Sequence, residues 1–247
     1  VSPVVPAASR RFGGFTQMLT LDLDALGLLH APLSVFDDFR VDGLPFSPHP
    51  HAGFAAVTYV FEDSPGAVRS RASTGQDLTV GPGGLVWTEA ASGAVHEETP
   101  AVPGVELHGL QLFVNLTGAT KALEPRVLWI DGPDVPRWTD EHGNAVRVVV
   151  GSYDAVASPL EPREPFVLLE IALVGELVVP LESGRTMLLY AQSGSVDVVP
   201  DEGPSALLRS RQAVGVAGEG SVHLTAQEPA RVLVAAGLAI DEPVAQV

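Results

Sequence analysis

The feature that most constrains the fold is a long series of short apolar stretches separated by glycine and proline. The 247 residues include 25 Gly and 21 Pro, so turn-forming residues interrupt the apolar stretches throughout the chain. The stretch VELHGLQLFVNL (105–116) alternates cleanly, with the even positions from 108 on one face and the odd positions from 109 on the other. Short strands at a steady spacing predict an all-β fold of sandwiches or barrels.

The two halves of the chain show a weak internal similarity. PFSPHPHAGFAAVTYVFEDSPGAV in the first half and PLESGRTMLLYAQSGSVDVV in the second each run from a proline-led turn into an apolar strand and a Gly/Ser turn. Such a repeat predicts two related barrels in one chain. We expect an arm or joining strands in 1–33, a first barrel in 34–153 and a second barrel in 154–247.

Composition excludes several classes of partner and site. The net charge of −16 disfavours direct binding of nucleic acid or of anionic membranes. The chain has no cysteine, which excludes disulfides, thiolate metal sites and iron–sulfur clusters. The most apolar stretch, Phe166–Pro180, is short and carries Glu170 and Glu176, so we expect a cytoplasmic protein without membrane contact. A chain of two barrels is expected to be a monomer.

Two residue pairs carry the chemistry that the sequence indicates. His49 and His51 flank a proline, and His96 and Glu98 flank Glu97. In an extended chain, residues i and i+2 point to the same face, so each pair can aim two donors at one point between strands. A single His-x-His is weak evidence because surface histidines are common, but the second pair strengthens it. Three imidazoles and one carboxylate would then bind one metal ion.

This set of donors limits the choice of metal. Imidazole and carboxylate ligands suit Fe(II) first, with Mn, Ni or Zn as alternatives, and the lack of thiolates argues against a closed structural zinc site. Four protein ligands leave two positions of an octahedral ion open to substrate or oxygen. In the second half, Arg185 stands near the place of the histidine pair. The metal site is therefore expected in the first barrel alone.

Other residues receive plainer interpretations. His108 lies on an apolar strand face and is expected to be a hydrogen-bonded core or rim histidine. The pair Asp37-Asp38 is predicted to lie in a turn. Phe46 and Phe113 are predicted to line an apolar substrate pocket. Gly81–Gly84 is not followed by the residues of a phosphate-binding loop and indicates a turn.

The motifs together resemble those of the pirin family. FSPHPHAGFAAVTYVFE, GPGGLVW, SGAVHEETP and HGLQLFVNL follow one another in the family's order and approximate spacing, over Ser34–Leu116. The resemblance implies a bicupin, with two tandem β-sandwich or jelly-roll barrels and a metal in the N-terminal one. The family's four ligands fall on His49, His51, His96 and Glu98.

This sequence departs from the family pattern at four positions next to the motifs. The usual HPHRGFE is here HPHAGFA, so Ala52 and Ala55 replace an arginine and a glutamate. The usual GPGDVQW is here GPGGLVW, with Gly84 and Val86 in place of polar residues. Because polar neighbours tune metal ligands and substrate fit, these changes bear on activity more than on metal binding.

The resemblance implies two kinds of function. The first is a quercetin 2,3-dioxygenase-like reaction, in which a flavonol-like enolic substrate is cleaved with O₂ and CO is released, with Glu98 taking the proton of the substrate hydroxyl. The alternative is a non-enzymatic, iron-dependent regulator that acts through a protein partner. A third interpretation is a degenerate member that binds metal without using it. The fold and the ligands do not choose among them.

Overall fold

The computed structural model describes residues 1–11, 13–44, 47–240 and 242–244 and shows an all-β chain. Strands are numbered in chain order from β1 (Val5–Pro6). The chain divides into two compact units, which we describe separately. The N-terminal sandwich comprises Ala8–Thr20, Leu33–Val135 and the described residues after Ala239. The C-terminal sandwich comprises Val1–Ala7, Leu21–Pro32 and Pro136–Ala239.

The N-terminal sandwich consists of two antiparallel sheets. Its strands are β2 (Ala8–Ser9), β3 (Phe15–Thr20), β4 (Leu33–Val41), β5 (His49–His51), β6 (Phe54–Val60), β7 (Val68–Ala72), β8 (Asp77–Val80), β9 (Leu85–Glu89), β10 (Ala94–Pro100), β11 (Leu107–Asn115) and β12 (Arg126–Ile130). A seven-stranded sheet has the order β12-β9-β6-β11-β4-β3-β2, and a four-stranded sheet has the order β5-β10-β7-β8. A short helix, α1 (Gly118–Lys121), and a 3-10 turn at Gly132–Asp134 are its helical elements in the described residues.

One core cluster joins the two sheets of the N-terminal sandwich. Phe39, Val60 and Val86 of the seven-stranded sheet pack in one buried cluster with Val68 and Val80 of the four-stranded sheet. Alternate residues of each strand face inward, so apolar side chains from both sheets fill the space between them. Removal of this apolar surface from water holds the two sheets together.

The C-terminal sandwich has the same division into seven and four strands. Its further strands are β13 (Arg137–Thr139), β14 (Ala145–Val150), β15 (Ser152–Tyr153), β16 (Val156–Ala157), β17 (Phe166–Leu173), β18 (Glu176–Leu181), β19 (Arg185–Ser193), β20 (Ser195–Pro200), β21 (Ala206–Arg209), β22 (Gln212–Ala217), β23 (Gly220–Thr225) and β24 (Ala230–Leu238). The large sheet has the order β1-β22-β19-β24-β17-β14-β13 and the small one β18-β23-β20-β21, while β15 and β16 form a separate hairpin. A 3-10 segment, Leu23–His30, is interrupted at Gly27, whose φ is +62°.

The all-β prediction and the two-sandwich architecture are confirmed, while the limits of the units differ from the predicted ranges. The long segment of the N-terminal unit ends at Val135, whereas the first barrel was predicted to extend to residue 153. The reason lies in pairing: β14 is hydrogen-bonded to β17, so this strand completes the C-terminal sheet. The predicted 1–33 arm is divided between the two units.

The prediction that Asp37 and Asp38 lie in a turn is wrong. Both residues lie within β4, where Asp37 is opposite Gln111 and Asp38 is opposite Leu110 of β11. The side chain of Thr20 on β3 hydrogen-bonds Asp37, and His108 on β11 contacts Asp38, so each aspartate has a polar partner within the sheet. Within the described part of the chain, each helical segment is too short or too polar to cross a lipid bilayer.

Candidate metal centre

The two histidine-bearing segments are neighbouring antiparallel strands. β5 pairs with β10 in a register that sets His49 opposite His96 and His51 opposite Ala94. Residues i and i+2 of β5 share a face, so His49 and His51 project to the side on which His96 of β10 also projects. Pro50 lies between them on the outer face. Proline has no backbone N–H group to donate, and it is tolerated here because β5 is an edge strand of its sheet.

The structure brings His49, His51 and His96 into one cluster. One ring nitrogen of each lies within 4.8 Å of the others. The ring centroids are 4.7 Å apart for His49 and His51, 4.9 Å for His49 and His96, and 4.7 Å for His51 and His96. Among residues 1–11, 13–44, 47–240 and 242–244, this is the one group of three or more potential ligands at such a spacing.

The protonation and hydrogen bonding of the cluster fit a metal ion. Burial, followed by the neighbouring histidines, lowers the pKa of His51 and of His96 to about 4, so both rings are neutral at pH 7. His51 Nε2 and His96 Nδ1 are buried, and neither has a hydrogen-bond partner among the described residues. His49 Nδ1 lies 2.9 Å from the carbonyl oxygen of Ser47, a contact that fixes the ring. Neutral, oriented imidazoles are the form that binds divalent metals.

Glu98 lies on the same strand as His96, yet its carboxylate is outside the cluster of atoms that lie within 4.8 Å of one another. It lines the same cavity, is opposite Ser70 of β7, and accepts hydrogen bonds from Thr58 and Ser70. Burial raises the pKa of this carboxyl above its usual value, although these hydrogen bonds and His49 oppose the rise. The structure thus places Glu98 beside the three histidines as a carboxyl group that can hold a proton.

A chain of hydrogen bonds continues from Glu98 into the sheet. Thr58 Oγ1 contacts Glu98 Oε2 and lies 3.0 Å from Gln111 Oε1, while Gln111 Nε2 donates to the carbonyl of Val57 at 3.0 Å. A hydroxyl group has one proton and cannot donate to two oxygen acceptors at once. Thr58 therefore donates to Glu98 when that carboxyl is ionised, and to Gln111 when Glu98 carries a proton and itself donates to Thr58. The raised pKa of Glu98 favours the second state more than in an exposed glutamate.

An apolar cavity of about 310 Å³ adjoins the cluster within the N-terminal sandwich. Its wall is formed mainly by side chains of β3, β4 and β11, which include Gln111, with the three histidines and Glu98 on one side. The remaining lining residues are Phe15, Met18, Val35, Asp37, Phe39, Val41, Thr58, Val68, Thr99, Leu107 and Phe113. A volume near 300 Å³ is at the lower end of the range for small-molecule sites.

The two aromatic residues predicted for the pocket have different outcomes. Phe113 lines the cavity, stacks on Phe54 with a centroid distance of 4.5 Å, and lies 5.2 Å from the ring of His51. Phe46 lies outside the described residues. Phe113 therefore gives the cavity an aromatic wall next to one candidate ligand.

Sequence reasoning missed Asp37 and Thr58 as residues of the cavity. Asp37 alternates with Val35, Phe39 and Val41 along β4, and this period of two is the signal that could have placed it on an inward face. Thr58 stands in the uninterrupted apolar run of β6, where nothing local distinguishes it from a core residue. Its contact with Glu98 depends on the packing of one sheet on the other.

His108 has the structural role that was expected. It is buried, with Nδ1 at 2.6 Å from Asp63 Oδ1 and Nε2 at 3.1 Å from Asp38 Oδ1. Arg40 lies 3.0 Å from the same ring and also binds Glu106. These contacts satisfy the buried polar groups of β4 and β11 on the face opposite to the cavity.

The four positions that depart from the family pattern are absent from the cavity wall formed by the described residues. Ala55 and Val86 are fully buried in the sheet, and Ala52 adjoins β5 without lining the cavity. At Gly84 an added Cβ would lie 2.5 Å from Val80 Cγ1 and 2.7 Å from the carbonyl oxygen of Ile130. The polar neighbours lost at these positions are therefore replaced by close packing, away from the space in which a ligand would bind.

Comparison with known proteins agrees with this arrangement. The sequence model of the pirin family matches residues 23–114. A Pseudomonas aeruginosa protein provisionally named a quercetin 2,3-dioxygenase is 35% identical over 219 residues, covering 85% of this chain and 73% of that protein. Human pirin is 31% identical over 249 residues, covering 98% of this chain and 80% of human pirin. This chain belongs to the pirin family.

A solved pirin structure shows the same fold. The bacterial pirin YhhW from Escherichia coli, solved in complex with nickel(II), superposes with a TM-score of 0.73 at 20% identity, covering 96% of this chain and 99% of that chain. The cupin β-sandwich architecture of this pirin is thereby established independently of its sequence motifs. The nickel is a property of that protein, and in this pirin the histidine cluster is the feature that fits a metal.

Proposed function

We propose that this pirin is an Fe(II)-dependent dioxygenase that acts on a flavonol-like, quercetin-type enolic substrate. The observation that carries the proposal is the junction of a three-histidine cluster with an apolar, aromatic-walled cavity. An aromatic molecule bearing a hydroxyl group next to a ketone matches both halves of this site. The relationship to a provisionally named quercetin 2,3-dioxygenase supports the same substrate class.

The donor set supports Fe(II) as the metal. His49, His51 and His96 would hold the ion, and Glu98 would bind it or stand beside it. When bound, the metal supplies a Lewis acid for the adjacent hydroxyl and ketone oxygens of the substrate and enables its reaction with O₂. Three neutral imidazoles with one carboxylate suit Fe(II), and the same ligands accept Mn, Ni or Zn in a purified sample.

The chain's own residues then supply positioning and proton transfer. Phe113 and the apolar residues of β4 hold the aromatic rings and exclude water from the reacting carbon atoms. Glu98 in its ionised form takes the proton of the substrate hydroxyl, and its raised pKa makes it a stronger base than an exposed glutamate. Thr58 and Ser70 hold this carboxyl in place. The balanced reaction consumes one flavonol and one O₂ and yields the ring-opened ester and one CO.

Aerobic turnover by iron-loaded protein tests the proposal. We expect the flavonol absorbance to decay with matching release of CO, and we expect this decay to disappear in His96→Ala. Glu98→Gln keeps the three imidazoles and should lower turnover by about 100-fold or more, because a general base contributes factors of 10²–10⁴. The matched control is His142→Ala, which removes an exposed imidazole that does not line the cavity. If the wild-type protein consumes flavonol no faster than His96→Ala, the proposal is overturned. If the wild-type protein binds iron but consumes no flavonol, the regulatory alternative is favoured.

A further inference from the structure

Asp37 is a carboxyl group in an otherwise apolar row of the cavity wall. Val35, Asp37, Phe39 and Val41 alternate along β4 and line the cavity together. Asp37 is 9% exposed, and the proposed metal chemistry does not use it. Buried carboxyl groups are costly in a fold unless they are paired, so the presence of Asp37 in this row calls for a physical reason.

One oxygen of Asp37 is already satisfied, and the other is not. The side chain of Thr20 hydrogen-bonds the carboxyl group, and Arg10 contributes a favourable charge. Asp37 Oδ1 is buried and has no hydrogen-bond partner within the described portion of the chain. A buried oxygen without a hydrogen-bond partner destabilises the folded protein. A ligand that donates a hydrogen bond to Oδ1 would recover this free energy on binding.

The strand register places Asp37 at a distance from the metal ligands. Asp37 of β4 is opposite Gln111 of β11, which is opposite Thr58 of β6, and Thr58 contacts Glu98. Neighbouring strands are about 4.8 Å apart, so Asp37 is roughly 10 Å from Thr58 across the sheet. A small molecule held at the histidines by one end would reach Asp37 with its other end.

From these contacts we infer that Asp37 is the specificity-determining residue that binds a hydroxyl group on the part of the substrate remote from the metal. The cavity would then select polyhydroxylated flavonols over flavonols that carry only the hydroxyl–ketone pair. This inference rests on the proposed function. A hydroxyl group suits the site in particular, because it can donate to an ionised carboxylate and can also accept from a neutral carboxyl. The alternative partner of Oδ1 is an ordered water molecule, which would give no discrimination.

Binding measured without oxygen tests the inference separately from turnover. Zinc-loaded protein is titrated anaerobically with quercetin and with 3-hydroxyflavone, which shares the hydroxyl–ketone pair and lacks the other hydroxyl groups. The variants are Asp37→Leu, Asp37→Asn and, as a matched control in the same wall, Met18→Leu. Zinc content and thermal midpoint establish that each variant is folded and loaded.

The expected result is a loss of affinity for quercetin with little change in affinity for 3-hydroxyflavone. Asp37→Leu should weaken quercetin binding by about 10-fold or more, because the variant loses a hydrogen bond to a charged group. Binding of 3-hydroxyflavone should change by less than about 3-fold in the same variant. Asp37→Asn, which keeps an acceptor oxygen, should retain most of the preference for quercetin. Met18→Leu should change both affinities by the same factor.

The outcomes distinguish the role of Asp37 in substrate binding from the proposed dioxygenase activity. If Asp37→Leu weakens both flavonols equally, or neither, the role of Asp37 is overturned whatever the turnover measurements show. If the preference depends on Asp37 but iron-loaded protein consumes no flavonol, the inference stands as a binding specificity and the dioxygenase proposal fails. If the wild-type protein binds neither flavonol, both are overturned.

Discussion

Each sandwich has a four-stranded sheet. The two sheets have corresponding strand orders, but different kinds of residue occupy their inward faces. The order β5-β10-β7-β8 in one corresponds to β18-β23-β20-β21 in the other. In the N-terminal sheet the inward positions of the first two strands carry His49, His51 and His96. In the C-terminal sheet, Leu177, Val179 and Leu181 of β18 and Val222 and Leu224 of β23 are buried instead. One architecture therefore supports either a three-histidine cluster or an apolar core.

A histidine on the corresponding strand shows that orientation decides the difference. His223 lies on β23 opposite Val178 of β18, and both side chains face outward, about half exposed. His223 Nε2 binds Asp201 at 3.0 Å. The C-terminal sandwich has its own cavity of about 270 Å³, where Tyr153, Glu182 and Arg185 are among the lining residues. An imidazole on the right strand but the wrong face cannot contribute to a metal site.

The largest expected effect is on metal binding. His96→Ala removes one of three convergent imidazoles, and we expect the metal affinity to fall by more than about 100-fold, since changes even to groups behind the ligands cost 10–100-fold. His223→Ala should leave one metal per chain. Elemental analysis after dialysis against a weak chelator measures both. Retention of a full equivalent of metal by His96→Ala would show that the ion is bound elsewhere.

A smaller effect is expected when a buried apolar side chain on the inner face of the C-terminal sandwich is truncated. Leu189 of β19 is fully buried in its core, and Leu189→Ala should lower the free energy of unfolding by about 2–5 kcal/mol. Leu207→Ala removes the same atoms from a side chain that is 41% exposed, and should cost less than about 1 kcal/mol. Denaturant unfolding measures the difference between the two variants. Equal losses would contradict the assignment of this face as the source of stability.

The sequence predicts the fold better than it predicts the walls of the site. Alternation in β11 correctly places Gln111 and Phe113 on one face, because a period of two is a local property of an extended chain. The i, i+2 spacing of His49 and His51 correctly predicts that they project together. Their meeting with His96 depends on the pairing of β5 with β10, which no local pattern specifies.

Asp37 and the limits of the units show why the rest is harder to predict. Two adjacent aspartates favour a turn on propensity alone, and the sheet overrides that preference because Asp38 binds His108 on one face while Asp37 faces the cavity on the other. The limits of the units depend on which sheet β14 joins, and that choice is made by a long-range pairing with β17. Both outcomes are set by tertiary contacts rather than by neighbouring residues.

The last predicted effect concerns the stability of the metal-free protein as the pH falls. His51 and His96 have pKa values lowered to about 4 by burial and by their histidine neighbours, against about 6.5 in the unfolded chain. The folded state therefore binds fewer protons than the unfolded state between pH 6.5 and pH 4. Stability that is present above pH 6.5 should be lost as the pH falls through this window, by about 2 kcal/mol per histidine at pH 5.

Comparison with a variant separates the contribution of His51 and His96 to the pH dependence of stability from that of other titrating groups. The raised pKa of Glu98 acts in the opposite direction, since a neutral carboxyl favours the folded state at low pH, but Glu98 is present in both proteins. In the presence of chelator, unfolding free energies at pH 7 and pH 5 are measured for the wild type and for the double variant His51→Gln, His96→Gln. The double variant should lose less stability than the wild type between these pH values. An identical loss in the two proteins would mean that His51 and His96 have the same pKa values in the folded protein as in the unfolded chain. The histidine-bearing face of the N-terminal sandwich would then not differ electrostatically from the apolar face of the C-terminal sandwich in the way proposed.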